Sequence, residues 1–447
     1  MRSRSISSVT EALVNRIDSG DLAPGVQLPT HRKLAAQFGI AVASATKVYA
    51  QLQASGHVIG EIGRGMFVRA RRREVAWDPE NEARSSSSAI DLSFNHPTWP
   101  GQEAMVRCML RELAASAEAR SLLHQQPPGG RGRERQIMGE FLSDQRGVKC
   151  AVGRTFLVGG AQQGLDVVAR AVLGIHDRVA VDALTYPGFK MLARSHGIEL
   201  MPVACAATGP DLDALDALCD RNRIRAVYTM PTMHNPLSWV MSELHRRRLV
   251  DIARRHDLLI IEDASYSFLA EGAPAPLACL APERTFYITS LSKGLGTGLR
   301  FGAIVSPIQF KDRVTSAIRA SYWSLPSIVA VMAARWIEDG TLSRVEGDIV
   351  EQARRRQLVA AEVFRGMNTV TGPTSMCLWM PLPDGLRMDQ VAAALAEQYV
   401  AVSKASAYAA TPQAPHALRI GLSSVESEGL LREALMTVRK TVESFPI

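Results

Sequence analysis

The chain has few cysteines, no cluster of metal-binding side chains and no long apolar run. Its six cysteines form no Cys-x-x-Cys pair and no group with histidine, and they lie at positions 108, 150, 205, 219, 279 and 377. We therefore predict reduced, mostly buried thiols, as in a cytosol, and no metal site. No apolar run approaches the ~18 residues of a membrane span, and the start Met-Arg-Ser-Arg-Ser lacks the apolar stretch of a signal peptide. These absences predict a cytoplasmic protein that does not enter a membrane.

Positive charge is present, and it is unevenly distributed. The formal net charge of the 447 residues is +7, and nearly all of the excess of Lys and Arg lies in residues 1–73. A chain of this length is enough for two or three domains, each with its own core. A basic segment joined to a nearly neutral body is the pattern expected of a nucleic-acid-binding module.

The basic segment shows the pattern of a winged helix-turn-helix. Residues 7–19 carry apolar side chains on one helical face, a second helix follows the candidate N-cap Thr30, and a third covers roughly 42–54 after a tight turn at Gly39. Two short strands are predicted around 57–62 and 66–68. Two helices across a short turn, followed by a β-hairpin, predict a module that binds double-stranded DNA.

Candidate DNA contacts follow from that arrangement. The start of the second helix usually meets the DNA backbone, outward positions of the third helix reach base edges or phosphates, and the wing tip can enter a minor groove. The side chains at these places are Arg32, Lys33, Ser44, Thr46, Lys47 and Arg64.

The module resembles the GntR family of regulators. The matching stretches are Leu-Pro-Thr-His-Arg, Leu-Ala-Ala-Gln-Phe-Gly-Ile, Tyr-Ala-Gln-Leu and Gly-Arg-Gly-Met-Phe-Val, within residues 28–68. The family usually begins its recognition helix with Ser-Arg, and Ala41 and Val42 hold those places here. The resemblance thus implies DNA binding with weaker phosphate anchoring or an unusual operator.

Three segments divide the chain. We predict a DNA-binding domain over 1–69, a flexible tether over 70–89 and a large domain over 90–447. The tether is rich in charge and contains a four-serine run, a composition that cannot build a core. From residue 90 onward, helical patterns alternate with short β-rich runs at 155–158, 178–181, 226–229, 258–261, 286–288 and 303–305. This alternation predicts an α/β fold with a mainly parallel or mixed sheet, whose ligands collect at the carboxyl ends of the strands.

The chemistry of the large domain centres on Lys293. This lysine follows a strand-like run, has hydroxyl groups nearby at Ser290 and Ser292, and precedes Arg300 after a Gly-rich turn. An amine beside phosphate-binding groups is what pyridoxal 5'-phosphate (PLP) needs for a Schiff base. Asp263 ends another apolar run, and a carboxylate there would keep the pyridine nitrogen of the cofactor protonated.

Other candidate residues also follow strand-like runs. The Gly159-Gly160 pair opens a helix suited to a phosphate, Tyr186 is placed to stack on the ring, and Asn235 and Tyr266 are placed to reach the phenolic oxygen. Each of these residues alone has an ordinary structural explanation. Their order along the chain is what indicates a cofactor site.

That ordered set resembles fold-type I aminotransferases over almost all of residues 90–447. The resemblance assigns Ala161, Gln162 and Arg300 to the phosphate and Lys293 to the Schiff base, and it matches Arg419 to the arginine that takes a substrate carboxylate. A GntR-like arm on such a body resembles the MocR subfamily of bacterial regulators. This resemblance implies a homodimer whose affinity for DNA responds to PLP or to an amino compound that forms an external aldimine with PLP.

Two positions depart from the family pattern. Gln125 stands where a tyrosine is expected to reach the phosphate in the partner subunit, and Pro236-Leu237-Ser238 replaces the usual Pro-Thr-Gly. Neither departure removes Lys293 or Asp263. The departures bear on the contact between subunits and on effector geometry, whereas PLP binding is still predicted.

Three functions remain open from the sequence. The favoured one is a PLP-dependent regulator that senses vitamin B6 or a small amino compound. The alternative is an active aminotransferase that carries a DNA-binding arm. A third is a DNA-binding protein whose body serves only for dimerisation, but this leaves the joint presence of Asp263 and Lys293 without a physical reason.

Overall fold

A computed structural model describes residues 6–19, 21–22, 25–61, 64–68, 90–116, 122–149 and 152–445. Cys150, residue 62 at the end of the first predicted strand, and the predicted tether 70–89 lie outside the described residues. Two compact units are present. One comprises residues 1–90, 382–401 and 440–447, and the other comprises 91–381 and 402–439.

The first unit contains the predicted winged helix-turn-helix. Its helices are α1 (Ile6–Asp18), α2 (His31–Phe38) and α3 (Val42–Ala54), and its strands are β1 (Val58–Glu61) and β2 (Gly65–Val68). The two strands pair antiparallel as a hairpin. Buried side chains from all three helices and both strands form one small core, which includes Val9, Leu34, Val48, Leu52 and Val58.

Local sequence explains the boundaries of the second helix. The hydroxyl oxygen of Thr30 accepts a hydrogen bond from the backbone N–H of Lys33 at 3.3 Å, as predicted for an N-cap. Gly39 ends the helix at φ 66°, in the left-handed region that glycine adopts without strain. The start of α3 has no such cap, because Ala41 has no side-chain acceptor. Compared with the Ser-Arg of the family pattern, Ala41 and Val42 therefore leave α3 without the arginine expected to bind DNA and without a capping hydroxyl.

A seven-stranded mixed sheet is the centre of the second unit. Its order is β4-β12-β11-β10-β9-β5-β6, and β12 is antiparallel to both of its neighbours. The strands are β4 (Thr155–Val158), β5 (Arg178–Asp182), β6 (Glu199–Val203), β9 (Ile224–Thr229), β10 (Leu259–Asp263), β11 (Thr285–Ser290) and β12 (Gly302–Val305), with a small hairpin of β7 (Cys205–Ala206) and β8 (Gly209–Pro210). All six predicted strands are confirmed.

Helices cover this sheet, and the chain alternates between the two. They are α4 (Gln102–Ala115), α5 (Gly132–Arg146), α6 (Ala161–Val172), α7 (Pro187–Ser195), α8 (Leu212–Arg221), α9 (Glu243–Arg255), α10 (Leu277–Leu280), α11 (Ser292–Leu295), α12 (Lys311–Ser321), α13 (Ser327–Glu338) and α14 (Thr341–Val363). The central strands are buried along nearly their whole length, because helices pack on both faces of the sheet. The predicted α/β class is confirmed.

A smaller antiparallel sheet follows, in the order β13-β15-β14-β3. Its strands and the remaining helices are β3 (Ile90–Leu92), β13 (Cys377–Pro381), α15 (Met388–Glu397), β14 (Val400–Lys404), α16 (Ala405–Tyr408), β15 (Ala417–Gly421) and α17 (Glu428–Ser444). Arg419 lies on β15, opposite Trp379 on one side and Ser403 on the other. Among the described helices, none combines the length and the apolar character needed to cross a bilayer.

Candidate cofactor and DNA-binding sites

The predicted cofactor residues follow the carboxyl ends of sheet strands. Gly160 follows β4, Tyr186 follows β5 and Asn235 follows β9, while Asp263 is the last residue of β10 and Lys293 comes three residues after β11. The strands β5, β9, β10 and β11 are consecutive and parallel, so their carboxyl ends lie along one edge. The topology therefore brings together residues that are up to 133 positions apart, as expected for a ligand site in an open α/β sheet.

Lys293 lies in the short helix α11, which its neighbours hold in place. The hydroxyl of Ser290 accepts from the backbone N–H of Ser292 at 3.2 Å and donates to the carbonyl of Phe301 at 3.4 Å. The amine of Lys293 donates to the carbonyl oxygen of Asn95 at 2.5 Å and lies 5.9 Å from the ring centre of Tyr266. Burial, together with the positive charges of Arg419 and Arg300, lowers the pKa of Lys293 to about 8.

A cup for a phosphate surrounds Gly160, which has φ 89°. A Cβ at this glycine would lie 3.2 Å from Nη2 of Arg300 and 3.6 Å from Oγ of Ser292. The Ser292 hydroxyl is buried without a hydrogen-bond partner. Helix α6 begins at Ala161, so its first backbone N–H groups point into the same space, as in other anion sites. A guanidinium, a free hydroxyl and a helix start thus converge around a glycine.

A second close approach brings Tyr186 and Gln162 together. The Gln162 amide nitrogen donates to the carbonyl of Gly188 at 3.0 Å, while its Oε1 is buried without a partner. A Cβ at Gly188 would lie 2.3 Å from Oε1 of Gln162 and 2.4 Å from the Tyr186 ring, so only glycine fits there. Gly188 was not predicted as a site residue, although the run Tyr-Pro-Gly contains it.

Asp263 is a buried carboxylate whose surroundings favour a cationic partner. It is 2% exposed and accepts hydrogen bonds from the Tyr228 hydroxyl at 3.0 Å and from the Ser265 hydroxyl at 2.6 Å. Burial raises the pKa of Asp263 despite these donors. A carboxylate in such surroundings is stabilised by an adjacent positive charge, which a protonated pyridine nitrogen would provide. Sequence reasoning missed Tyr228 and Ser265, although Asp-x-Ser is a pattern in which the aspartate accepts from the residue two positions on.

Asn235 and Tyr266 are the predicted partners of the phenolic oxygen. Asn235 is 7% exposed, follows a buried histidine and precedes Pro236 through a cis peptide bond. Its Oδ1 is buried without a hydrogen-bond partner. The hydroxyl of Tyr266 accepts from Nδ2 of Asn95 at 3.3 Å. Asn95 is 4% exposed and therefore belongs to the pocket wall, a role that its position 198 residues from Lys293 concealed in the sequence.

Arg419 provides a buried cation next to this group. It is 2% exposed, its Nη1 donates to the carbonyl of Ser93 at 3.1 Å, and its Nε has no hydrogen-bond partner. The guanidinium lies 5.8 Å from the ring centre of Tyr408. Among the described residues, no carboxylate pairs with Arg419. A buried guanidinium without an acid partner suits an anionic group of a ligand.

The predicted DNA-contacting residues lie on the expected elements. Arg32, Lys33, Thr46, Lys47 and Arg64 are exposed, and Ser44 is half-buried. The Thr46 hydroxyl donates to the carbonyl of Val42 at 3.2 Å, so it is already engaged within the helix. The wing is fixed by Gln27, whose amide donates to the carbonyl of Arg64 at 2.6 Å. The contacts of all six predicted residues with DNA remain predictions.

Gln125, which replaces the expected tyrosine, is exposed. The adjacent Gln126 is 2% exposed, and neither its amide oxygen nor its amide nitrogen has a hydrogen-bond partner. The glycines that follow pack tightly, since a Cβ at Gly129 would lie 2.7 Å from the Phe156 ring. The contact between subunits that the family places here remains untested.

The residues present fit PLP. The Ser292 hydroxyl, Oε1 of Gln162 and Oδ1 of Asn235 are buried polar atoms without partners, and they lie among the groups predicted to touch the cofactor. At Gly160 a side chain would be strained by the positive φ and would crowd the guanidinium of Arg300. The fold and this site define a class of protein, a PLP-dependent transcriptional regulator with a DNA-binding domain and an aminotransferase-like body.

Comparison with known proteins gives the family. Residues 87–437 match the model of aminotransferase class I and II, and residues 6–68 match that of the bacterial regulatory proteins of the gntR family. The chain belongs to the aminotransferase class I and II family and also carries a GntR domain. Both predicted resemblances are thereby confirmed.

Two transcriptional regulators are among the relatives of this chain. The chain is 24% identical to the HTH-type transcriptional regulator YdeF of Bacillus subtilis over 95% of this chain and 91% of that protein. It is 26% identical to the probable rhizopine catabolism regulatory protein MocR of Rhizobium meliloti over 68% of this chain and 65% of that protein. Among solved structures, the kynurenine aminotransferase of Pyrococcus horikoshii matches with a TM-score of 0.75 at 22% identity, covering 86% of this chain and 98% of that one. This last likeness shows the fold.

We expect the reaction of Lys293 with PLP to depend on pH in a way that reports its burial. Only the neutral amine attacks an aldehyde, and the pKa of Lys293 is lowered to about 8 from the usual value of about 10.4. The second-order rate constant for PLP uptake should rise about tenfold per pH unit up to pH 8 and then level off. Stopped-flow absorbance against pH measures this. A rate constant that keeps rising to pH 10 would contradict the lowered pKa.

Proposed function

We propose that this protein is a cytoplasmic, homodimeric regulator whose affinity for its DNA operator changes when PLP, or a small amino compound that reacts with PLP, occupies the pocket around Lys293. The observation that carries this proposal is the convergence of unpartnered polar atoms and a half-buried lysine in a chain that also has a GntR domain. An enzyme has no evident need of the arm, and a simple repressor has no need of the pocket.

Different pocket residues would hold different parts of the cofactor. Arg300, Ser292 and the start of α6 would hold the phosphate, while Asp263 would keep a proton on the ring nitrogen and Tyr186 would pack on the ring face. When bound, PLP supplies an aldehyde that is reactive toward amines and a ring that withdraws electrons. Lys293 provides the amine, and its lowered pKa leaves a substantial neutral fraction near pH 8.

Arg419 gives the pocket a preference among amino compounds. Its buried guanidinium, with Nε unpartnered, supports an effector that carries a carboxylate close to its amine. A second ligand class is vitamin B6 itself, which needs only the phosphate and ring contacts. Measuring operator affinity with PLP alone, and then with PLP plus amino compounds with and without a carboxylate, separates these two classes.

The regulator proposal is tested by DNA binding of the full chain. Fluorescence anisotropy with DNA from upstream of its own gene should show tight binding that weakens steeply with salt, because Lys and Arg displace counterions from phosphates. The apparent dissociation constant should change by about 5- to 150-fold on saturation with PLP or effector. Equal affinities in all ligand states would overturn the sensing function.

Lys47 provides a sharper test of the predicted recognition helix. It is exposed on α3, and we expect Lys47→Ala to weaken binding to all sequences similarly and to lower the salt slope by about one, as for the loss of one phosphate contact. Arg111→Ala, at an exposed position on α4, is the control and should leave both quantities unchanged. An unchanged slope for Lys47→Ala would remove this residue from the interface.

Dimer formation also has structural support. A groove of about 550 Å³ lies between α4 and residues 295–299, and its lining includes the apolar residues Val106, Leu110, Leu295 and Leu299. Leu110 is 44% exposed in the single chain. An apolar groove beside the lysine turn suits a second copy of the chain. Sedimentation equilibrium would decide between one copy and two.

Catalytic turnover is the second candidate. The lowered pKa of Lys293 favours it, because an amine with a pKa near 8 can take up and return a proton during transamination. Sustained conversion of an amino donor and a keto acceptor would support an active aminotransferase. A single turnover per subunit, together with ligand-dependent DNA affinity, would support the regulator.

A further inference from the structure

Residues 93–96, which we name the strap, touch three functional groups of the pocket through Ser93 and Asn95. The carbonyl of Ser93 accepts from Nη1 of Arg419 at 3.1 Å. The carbonyl of Asn95 accepts from the amine of Lys293 at 2.5 Å. Nδ2 of Asn95 donates to the hydroxyl of Tyr266 at 3.3 Å. The amine, the candidate carboxylate-binding group and the candidate phenol-binding group thus all contact one short segment.

The strap is also clamped from outside the pocket. Ser424 holds it at two points, since its hydroxyl donates to the carbonyl of Phe94 at 2.6 Å and accepts from the backbone N–H of His96 at 3.1 Å. The hydroxyl of Ser403 donates to the carbonyl of Ser93 at 2.9 Å. Phe94, by contrast, exposes 59% of its surface. Apart from the buried side chain of Asn95, the strap is therefore held mainly by a few polar contacts.

The strap also lies close in the sequence to the predicted tether. Only residues 90–92 separate the strap from the predicted tether 70–89, which leads to the DNA-binding module. The strap directly follows β3, the strand into which the predicted tether leads, so a shift of the strap can reach the end of the chain segment that carries the arm. Within the described residues of the cofactor pocket, the strap is the part that lies nearest to the tether along the chain.

From this arrangement, which rests on the function proposed above, we propose that the strap positions Lys293 and Tyr266 and passes the chemical state of Lys293 to the DNA-binding arm. Condensation of the lysine amine with an aldehyde forms a C=N bond, releases one water and leaves at most one N–H on the nitrogen. The hydrogen bond from the Lys293 nitrogen to the carbonyl of Asn95 is then weakened or lost. When an amino effector displaces Lys293, the free amine returns and can donate to Asn95 again.

Ligand binding at the other two groups acts on the same segment. A carboxylate that binds Arg419 competes with the Ser93 carbonyl for guanidinium N–H groups. A Tyr266 hydroxyl that turns toward a ligand changes its contact with Asn95. Cofactor alone and cofactor with an amino acid therefore leave the strap with different sets of hydrogen bonds, which is the unequal binding that coupling requires.

The test uses the full chain, Ser424→Ala as the loosened strap and Ser423→Ala as the matched control. The hydroxyl of Ser423 has no hydrogen-bond partner, so its removal leaves the strap contacts intact. Three quantities are measured in each protein: PLP uptake by mass after borohydride reduction, hydrogen exchange of amides 93–96 with and without PLP, and operator affinity in both states.

In the wild type we expect PLP to change exchange in the strap by about fivefold or more, and this change should vanish in Lys293→Ala. Ser424→Ala should take up PLP and bind DNA, yet its ratio of operator affinities with and without PLP should fall to about one. Ser423→Ala should behave as the wild type. If Ser424→Ala does not fold, Ser403→Ala removes a different clamp and is read in the same way.

Two results would overturn the proposal. Strap exchange that is identical with and without PLP in the wild type would show that Lys293 does not act on it. A wild-type affinity ratio in a folded Ser424→Ala protein would show that the clamp plays no part. The proposed function fails separately, when PLP leaves the operator affinity of the wild type unchanged. The exchange measurement still decides the role of the strap in that case.

Discussion

Replacing Lys293 with alanine is expected to abolish the covalent link to PLP and the response of DNA binding to it. No other lysine is placed among the pocket residues described above, and the remaining contacts with phosphate and ring hold the cofactor only non-covalently. After incubation with PLP and reduction with borohydride, the wild type should gain one phosphopyridoxyl group on the peptide that contains Lys293. The variant should gain none there.

The DNA-binding readout of this variant separates sensing from folding. Lys293→Ala should bind the operator with a single affinity whether or not PLP is present, whereas the wild type should show a change of about 5- to 150-fold. Lys311→Ala is the control, because Lys311 is exposed at the start of α12. A PLP response that survives in Lys293→Ala would mean that non-covalent occupancy is the signal.

The sequence was informative where a residue follows a strand. Lys293, Asp263 and Asn235 each come at or just after an apolar run, and strands in an α/β fold present such residues at one edge. The expected strand at 155–158 and the N-cap at Thr30 are matched residue for residue. Short-range patterns of this kind depend on neighbouring residues, so a single sequence contains them.

The missed residues depend on long-range packing. Asn95 contacts Lys293 across 198 positions, and Tyr228 reaches Asp263 because β9 and β10 are neighbours. Gly160 was predicted to open a helix suited to a phosphate, but the approach of Arg300 and Ser292 to it comes from another part of the chain. No pattern near Asn95, Tyr228 or Gly160 specifies these partners. The predicted domain bounds, 1–69, 70–89 and 90–447, stay predictions.

Asp263→Asn is the second substitution with a large expected effect, and it tests whether the pocket stabilises a protonated ring. The amide keeps the shape of the side chain. Its oxygen can still accept from Ser265, while its NH2 group faces the Tyr228 hydroxyl, which can turn to accept from it, so the fold should survive. It removes the negative charge that a pyridinium requires. A hydrogen bond to a charged group contributes about 1.5–3 kcal/mol, so PLP affinity should fall about 10- to 100-fold.

The control and the accompanying signature make this prediction specific. Asp251→Asn removes an exposed carboxylate on α9 and should leave PLP affinity unchanged. In Asp263→Asn the single-turnover reaction with an amino acid should slow even at saturating PLP, because an unprotonated ring withdraws electrons poorly. If affinity and single-turnover rate were both unchanged, the ring nitrogen would not contact Asp263. The raised pKa of that carboxyl would then reflect burial alone, and the polar group facing the ring would have to be sought elsewhere in the pocket.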